Sequence, residues 1–142
     1  QADGRLHGVI VGCPDPDGRW LLIRRAAQVS AAPLKICFPG GAMEPGENKF
    51  DAGHREMQEE LGVEVDLLDC VWRFDDPTRE LTLWGWLGKL KCFDLRPDAR
   101  EVAEVLWLDA EEIRAHPDLL INSELFVTAL QENLGRWPDL GA

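Results

Sequence analysis

The sequence predicts an α/β sandwich built on a mixed β-sheet. Three observations carry this reading. Short apolar runs rich in β-branched and aromatic residues stand both before and after one amphipathic helical segment, two further helical segments close the chain, and no apolar run reaches the roughly 18 residues that a membrane span needs. A length of 142 residues suits one domain, 1–142, with a sizeable core.

The elements follow in order. LHGVIVG (6–12) and RWLLIRR (19–25) flank PDPDG, whose Pro, Asp and Gly favour a turn, so the opening reads as a β-hairpin. Residues 26–35 lack a clear period and read as a loop leading to a short strand from Ile36 to Phe38. Pro39, Gly40 and Gly41 then break regular structure and permit close approach of the backbone to a ligand. Asn48 is placed to cap a helix running to Leu61, with Asp51 supporting its start and Gly62 ending it. On that helix Phe50, Gly53, Met57 and Leu61 form an apolar stripe beside a face carrying Ala52, Glu56, Glu59 and Glu60. VEVDLLDCVWRF, LTLWGWLGKL and EVLWLD read as three strands. Asp109 to His116 reads as a short helix stopped by Pro117, and Ser123 to Leu134 as another, capped by Ser123 and ended by Gly135. No repeat, low-complexity segment or linker interrupts this order.

Charge and cysteine usage narrow the function classes. A formal net charge of −11 repels nucleic-acid phosphates and argues against nonspecific nucleic-acid binding. Cys13, Cys37, Cys70 and Cys92 are scattered without a CxxC pair, which favours free thiols in a reducing cytoplasm over a zinc knuckle or redox site. No signal-peptide pattern opens the sequence, and a cytoplasmic location with no membrane partner is expected. No Ser-His-Asp or Cys-His arrangement stands out.

The stretch REMQEEL raises a physical problem. Glu56, Glu59 and Glu60 lie at i, i+3 and i+4, which gathers their carboxylates on one side of the last turns of a helix. Each like-charged pair costs roughly a few tenths of a kcal/mol, and negative charge near a helix C-terminus also opposes the macrodipole. A divalent cation is the simplest external group that offsets this. Mg²⁺ suits the set because it takes hard oxygen ligands, keeps several waters and bridges a few carboxylates to substrate phosphates.

Gly41, Glu47 and the run Arg55-Glu56-Met57-Gln58-Glu59-Glu60-Leu61-Gly62-Val63 resemble the Nudix box at every defined position and spacing. The resemblance implies a Nudix-like α/β/α sandwich with a mixed sheet and Mg²⁺-dependent hydrolysis of a diphosphate linkage in a nucleoside diphosphate derivative or nucleoside triphosphate, with Mn²⁺ as a substitute metal. It implies Glu56, Glu59 and Glu60 as metal ligands, one of them also activating water, with the Gly40 or Gly41 carbonyl completing the shell. Glu47 is similar to the family glutamate that pairs with the box arginine, here Arg55, which orients a carboxylate without binding metal. Family members often add a carboxylate from a downstream loop; Glu101 and Glu104 are the candidates, with Glu101 favoured as nearer the loop.

The substrate is less legible. LLIRRAAQVSAAPLKICFPGG resembles the array of Nudix coenzyme A pyrophosphatases at Leu21, Leu22, Arg25, Ala26, Phe38, Pro39, Gly40 and Gly41, but Ile23, Ser30 and Leu34 stand where the array has Thr, Arg and Gly. Pro77 lies near where ADP-ribose hydrolases of the family carry a proline, and as a lone proline it also reads as a turn. The chain has no tyrosine, so the tyrosine of dinucleoside polyphosphate hydrolases is missing. Trp84 and Trp86 share one strand face, available to the core or to a nucleobase; of Arg24 and Arg25, on alternate faces, one is free to reach a phosphate. The competing readings are a module that binds a nucleotide metabolite without cleaving it, and an isopentenyl diphosphate isomerase, against which the intact REMQEEL argues. A small nucleotide-type substrate is the expected partner, and a homodimer is compatible with the sequence.

Overall fold

The computed structural model describes residues 3–140. Its elements run β1 (Leu6–Gly12), β2 (Trp20–Arg25), β3 (Ile36–Cys37), β4 (Gly40–Ala42), α1 (Lys49–Leu61), β5 (Val65–Asp75), β6 (Leu81–Leu90), β7 (Val102–Leu108), α2 (Ala110–Ala115) and α3 (Ser123–Leu134). The strands form a mixed sheet in the order β4-β1-β6-β5 and an antiparallel sheet in the order β3-β2-β7. In the mixed sheet β1 runs parallel to β6, from Leu6 opposite Leu81 to Gly12 opposite Leu87. It is antiparallel to β4, with Val9 opposite Gly41.

The predicted opening hairpin does not form. The PDPDG turn exists: the Asp15 carboxylate accepts the N–H groups of Asp17 and Arg19, and Gly18 takes a positive φ of 80°. Beyond it β1 and β2 touch through the Pro14–Trp20 bridge and one bond from the Leu21 amide to the Cys13 carbonyl, then diverge into different sheets. Pro14 has no N–H with which to extend a ladder. Both strands also need cover on both faces. Leu21 and Ile23 join Val11, Met57, Leu61 and Trp86 on the α1 side, while Trp20 and Leu22 join Ile36, Phe126, Val127 and Leu130 on the α3 side.

Other details also depart from the sequence reading. Gly40 and Gly41, expected to interrupt regular structure, begin β4. Strand β7 starts at Val102, before the predicted Glu104, with a register shift opposite it between Arg24 and Arg25. Helix α3 is preceded by Asn122 in the left-handed region (φ 73°) with no side-chain cap, so Ser123 is its first residue rather than its cap. Asparagine adopts that conformation more readily than most side chains. The central helix follows expectation, since the Asn48 side chain accepts the Asp51 amide at 2.8 Å and Gly62 closes it in the left-handed conformation. Its apolar stripe is shorter than predicted, because Met57 and Leu61 are fully buried while Phe50 is 49% exposed. The four cysteines are unpaired.

Trp86 lies in the core and donates to the Lys49 carbonyl, whereas half-buried Trp84 donates to His7 Nδ1 beneath the Lys49 ammonium and the Arg73 guanidinium. On the other face, fully buried Phe126 meets Phe38 edge-on at 4.9 Å and lies 5.4 Å from Trp72, ring centre to ring centre. Phe126→Ala is expected to cost about 3–5 kcal/mol, measured by chemical denaturation, because truncating a fully buried aromatic loses its burial and leaves a cavity that the surrounding structure only partly fills.

Candidate active site

Helix α1 presents its acidic residues beneath the Gly40–Ala42 strand. Glu56 and Glu60 turn inward and are 8% and 4% exposed, while the Glu59 side chain is 54% exposed. The three box glutamates are therefore unequal: two carboxylates are withdrawn from water and one faces it. Burial pushes the Glu60 carboxyl up to about 8, with Glu56 and Glu101 adding like-charge repulsion, and burial also raises Glu56. The Gly40 amide donates to Glu60 Oε1 at 2.8 Å and partly offsets its desolvation.

The glycines make this approach possible. A Cβ on Gly41 would lie 2.7 Å from the Glu56 carboxyl carbon, and Gly40 has φ 155° with no room for a side chain beside the Val9 carbonyl. Gly41 sits opposite Val9 in the ladder, while the Gly40 amide leaves it for Glu60.

Arg55 is the electrostatic hub. Its Nε and Nη2 donate to the two oxygens of Glu47, each at 2.8 Å, in a fork that holds Glu47 down to about 2. Nη1 donates to Glu56 at 2.9 Å and Glu59 at 3.1 Å, and Nη2 also donates to the Ala42 carbonyl. Glu47 in turn accepts the Glu44 amide at 3.0 Å. One guanidinium thus joins the loop before α1, the β4 strand and two glutamates of the helix.

The two downstream candidates separate. Glu104 on β7 accepts Arg24 Nε at 2.8 Å, and Arg24 also holds Asp118 at 2.9 Å. Glu101, just before β7, is exposed, and its charge acts on both Glu56 and Glu60. Arg25, on the opposite face from Arg24, favours the ionised form of Glu60.

A groove of about 390 Å³ runs from these glycines across the face of the mixed sheet that α3 covers. Trp72, Phe74 and Leu83 line its apolar wall, and Arg25, Asp76, Arg79 and Asn122 bring polar groups to it. Trp72 and Phe74 stack at 5.4 Å with 13° between their planes. Sequence reasoning singled out Arg25 but missed the rest, which come from three distant segments. The available signal was the Asn122-Ser123 pair, where an Asn tolerant of positive φ precedes a helix.

Among the described residues, no three acidic, histidine or cysteine side chains converge tightly enough to encage an ion on their own. Two desolvated carboxylates that repel each other, with a third nearby, nonetheless fit Mg²⁺, which uses one or two protein carboxylates and draws its other ligands from water and phosphate.

A family model for the NUDIX domain matches residues 5–129. The chain is similar to an "8-oxo-dGTP diphosphatase" of Escherichia coli strain K12, 40% identical over 68 residues, a match spanning 46% of this chain and 52% of that protein. It thus spans about half the length of that relative. It is also similar to a "Nucleoside triphosphatase NudI" of Klebsiella pneumoniae strain 342, 32% identical over 116 residues, covering 79% of this chain and 73% of that protein. A crystal structure of a MutT protein from Methanosarcina mazei Go1 shares the fold at a TM-score of 0.76 and 22% identity, over 89% of this chain and 93% of that one. With the family model spanning most of its length and the box residues assembled around Arg55, the chain belongs to the Nudix family of hydrolases.

Proposed function

We propose that this Nudix hydrolase cleaves a phosphoric anhydride of a nucleoside triphosphate in a Mg²⁺-dependent reaction, Mn²⁺ serving as substitute. The observation that carries the reading is that two buried carboxylates, Glu56 and Glu60, meet the backbone of Gly41 and Gly40, the glycines that rim the groove, although neither carboxylate lines the groove itself. The names of the two relatives support the substrate class. One domain holds the whole site, and the free thiols fit a reducing cytoplasm.

In this reading Glu56 and Glu60 hold the cation, with Glu59, Glu101 and a glycine carbonyl of the Gly40–Gly41 pair as further oxygen donors. Bound Mg²⁺ would neutralise polyphosphate charge and lower the pKa of an attacking water. The apolar wall of Trp72 and Phe74 offers a stacking surface for the nucleobase, and Arg25, at the groove and within electrostatic reach of Glu60, meets the phosphates. Arg55 and Glu47 touch no substrate and keep α1 at its distance from β4.

A coenzyme A or ADP-ribose substrate, and a binding module without catalysis, are outcomes that the same assay separates. Leu34, where the coenzyme A array has glycine, takes φ 64°, so the loop keeps a glycine-like turn without the glycine. Nucleoside triphosphates, ADP-ribose and coenzyme A are each incubated with Mg²⁺ and the products identified. Release of a nucleoside monophosphate and pyrophosphate from a triphosphate is expected, and tight binding without product would overturn the proposal.

Glu60→Gln, which keeps an oxygen for the Gly40 amide but loses the charge, is expected to leave the melting temperature near that of the parent. It should cut kcat by about a hundredfold or more. Chelation by EDTA should abolish turnover, and added Mg²⁺ or Mn²⁺ should restore it.

The Glu47–Arg55 fork generates a pH prediction. The folded pKa of Glu47, about 2, lies below the unfolded value of roughly 4.3, so its stabilisation is complete above the unfolded value and is lost as pH falls through the folded one. In denaturation curves Glu47→Gln should be less stable than the parent at pH 7, and the gap should narrow between about pH 5 and 2.

A further inference from the structure

The loop between β6 and β7 does more than connect two strands. The last carbonyls of a helix lack partners within it. Here the Glu60 carbonyl accepts the Asp98 amide at 2.9 Å, and the Leu61 carbonyl accepts the Arg96 amide at 2.6 Å, so the loop is seated on the end of α1. The Asp98 carbonyl then accepts the amides of Glu101 at 3.0 Å and Val102 at 2.8 Å, which closes a tight turn. Its carboxylate holds that turn from within: Oδ1 accepts the Arg100 amide at 3.0 Å and Arg100 Nε at 3.1 Å, and Oδ2 accepts Nη2 at 2.9 Å. A short carboxylate folding back on the amide two residues on is the turn chemistry that Asp supplies.

One residue therefore joins the backbone of Glu60 directly to the backbone of Glu101. The Glu101 carbonyl is fixed on its far side by the Ala26 amide at 2.9 Å. The Glu101 side chain itself is exposed. We propose that Asp98 is a positioning residue that sets the reach of the Glu101 carboxylate toward Glu56 and Glu60. The proposal rests on Glu101 serving the cation site proposed above. Asp98 acts through Glu101 and touches neither cation nor substrate.

The test is a double-mutant cycle read by Mn²⁺ binding without nucleotide, followed by the EPR signal of free Mn²⁺, on the parent, Asp98→Ala, Asp98→Asn, Glu101→Gln and the Asp98→Ala/Glu101→Gln pair. Asp98→Ala and Glu101→Gln are each expected to weaken Mn²⁺ binding by about tenfold, the low end for groups that orient metal ligands. Asp98→Asn keeps Oδ1 as an acceptor and should stay within about threefold of the parent. The pair should bind no more weakly than Glu101→Gln alone, because the effect of Asp98 passes through Glu101. In turnover assays Asp98→Ala should lower kcat with little change in KM.

Losses that multiply in the pair, or a Glu101→Gln protein that binds Mn²⁺ like the parent, would overturn the proposal. If Asp98→Ala does not fold, Arg100→Ala replaces it in the same cycle, with coupling to Glu101→Gln supporting the assignment and independence overturning it. A protein that shows the coupling yet hydrolyses no nucleoside triphosphate keeps this positioning role and loses the proposed reaction.

Discussion

The structure turns on the desolvation of two carboxylates at the end of one helix. Glu56 and Glu60 are buried near the C-terminus of α1, where the helix dipole is unfavourable to negative charge. Unpaired burial of an ionised carboxylate is among the costlier things a fold can do. Glu56 has Arg55, a strong partner but one shared with Glu47 and Glu59. Glu60 has the Gly40 amide and the more distant field of Arg25. Burial first, and then the repulsion of Glu56 and Glu101, make protonation of Glu60 comparatively easy, and the same desolvation is what a bound cation would offset.

The rest of the fold keeps that balance from relaxing. A free helix would rotate its glutamates into water. Here Met57 and Leu61 anchor one face of α1 in the core, the Arg55 fork ties its middle to Glu47 and the Ala42 carbonyl, and the loop before β7 covers its last carbonyls. Gly41 removes the side chain that would otherwise push the Glu56 carboxylate away, Gly40 removes one that would strike the Val9 carbonyl, and the same backbone forms the rim of the groove. The acid pair and the groove thus share a wall only two residues wide.

How much of this the sequence shows depends on the range over which the determining forces act. The helix, its Asn48 cap and Gly62 stop, and the convergence of Glu47, Arg55 and Glu59 depend on contacts within about two turns, which spacing encodes directly. The split of β1 and β2 into separate sheets is set by distant partners. A strand that is apolar on both faces, as WLLI is, does not say which neighbour will cover it. The groove was illegible for the same reason: Arg25, Trp72 and Asn122 meet only after the chain has passed through both sheets. Glu56 and Glu59 looked equivalent in sequence, yet one is buried and the other faces water, because the β4 strand lies over only part of the helix face.

The distribution of charge also constrains how the proposed substrate is met. A chain of net charge −11 repels a free polyphosphate at a distance, and the arginines nearest the acids are mostly engaged: Arg55 by Glu47, Glu56 and Glu59, and Arg24 by Glu104 and Asp118. Arg25 differs, since its Nε donates to the Ala31 carbonyl, a neutral group, while the residue lines the groove and its charge favours the ionised form of Glu60. A polyphosphate already carrying a divalent cation presents less negative charge to this surface and would bring that cation to the buried pair. On the proposed reading, repulsion of the bare anion and attraction of its metal complex arise from the same carboxylates, so the acidity of the chain selects the reactive form of the substrate rather than hindering it.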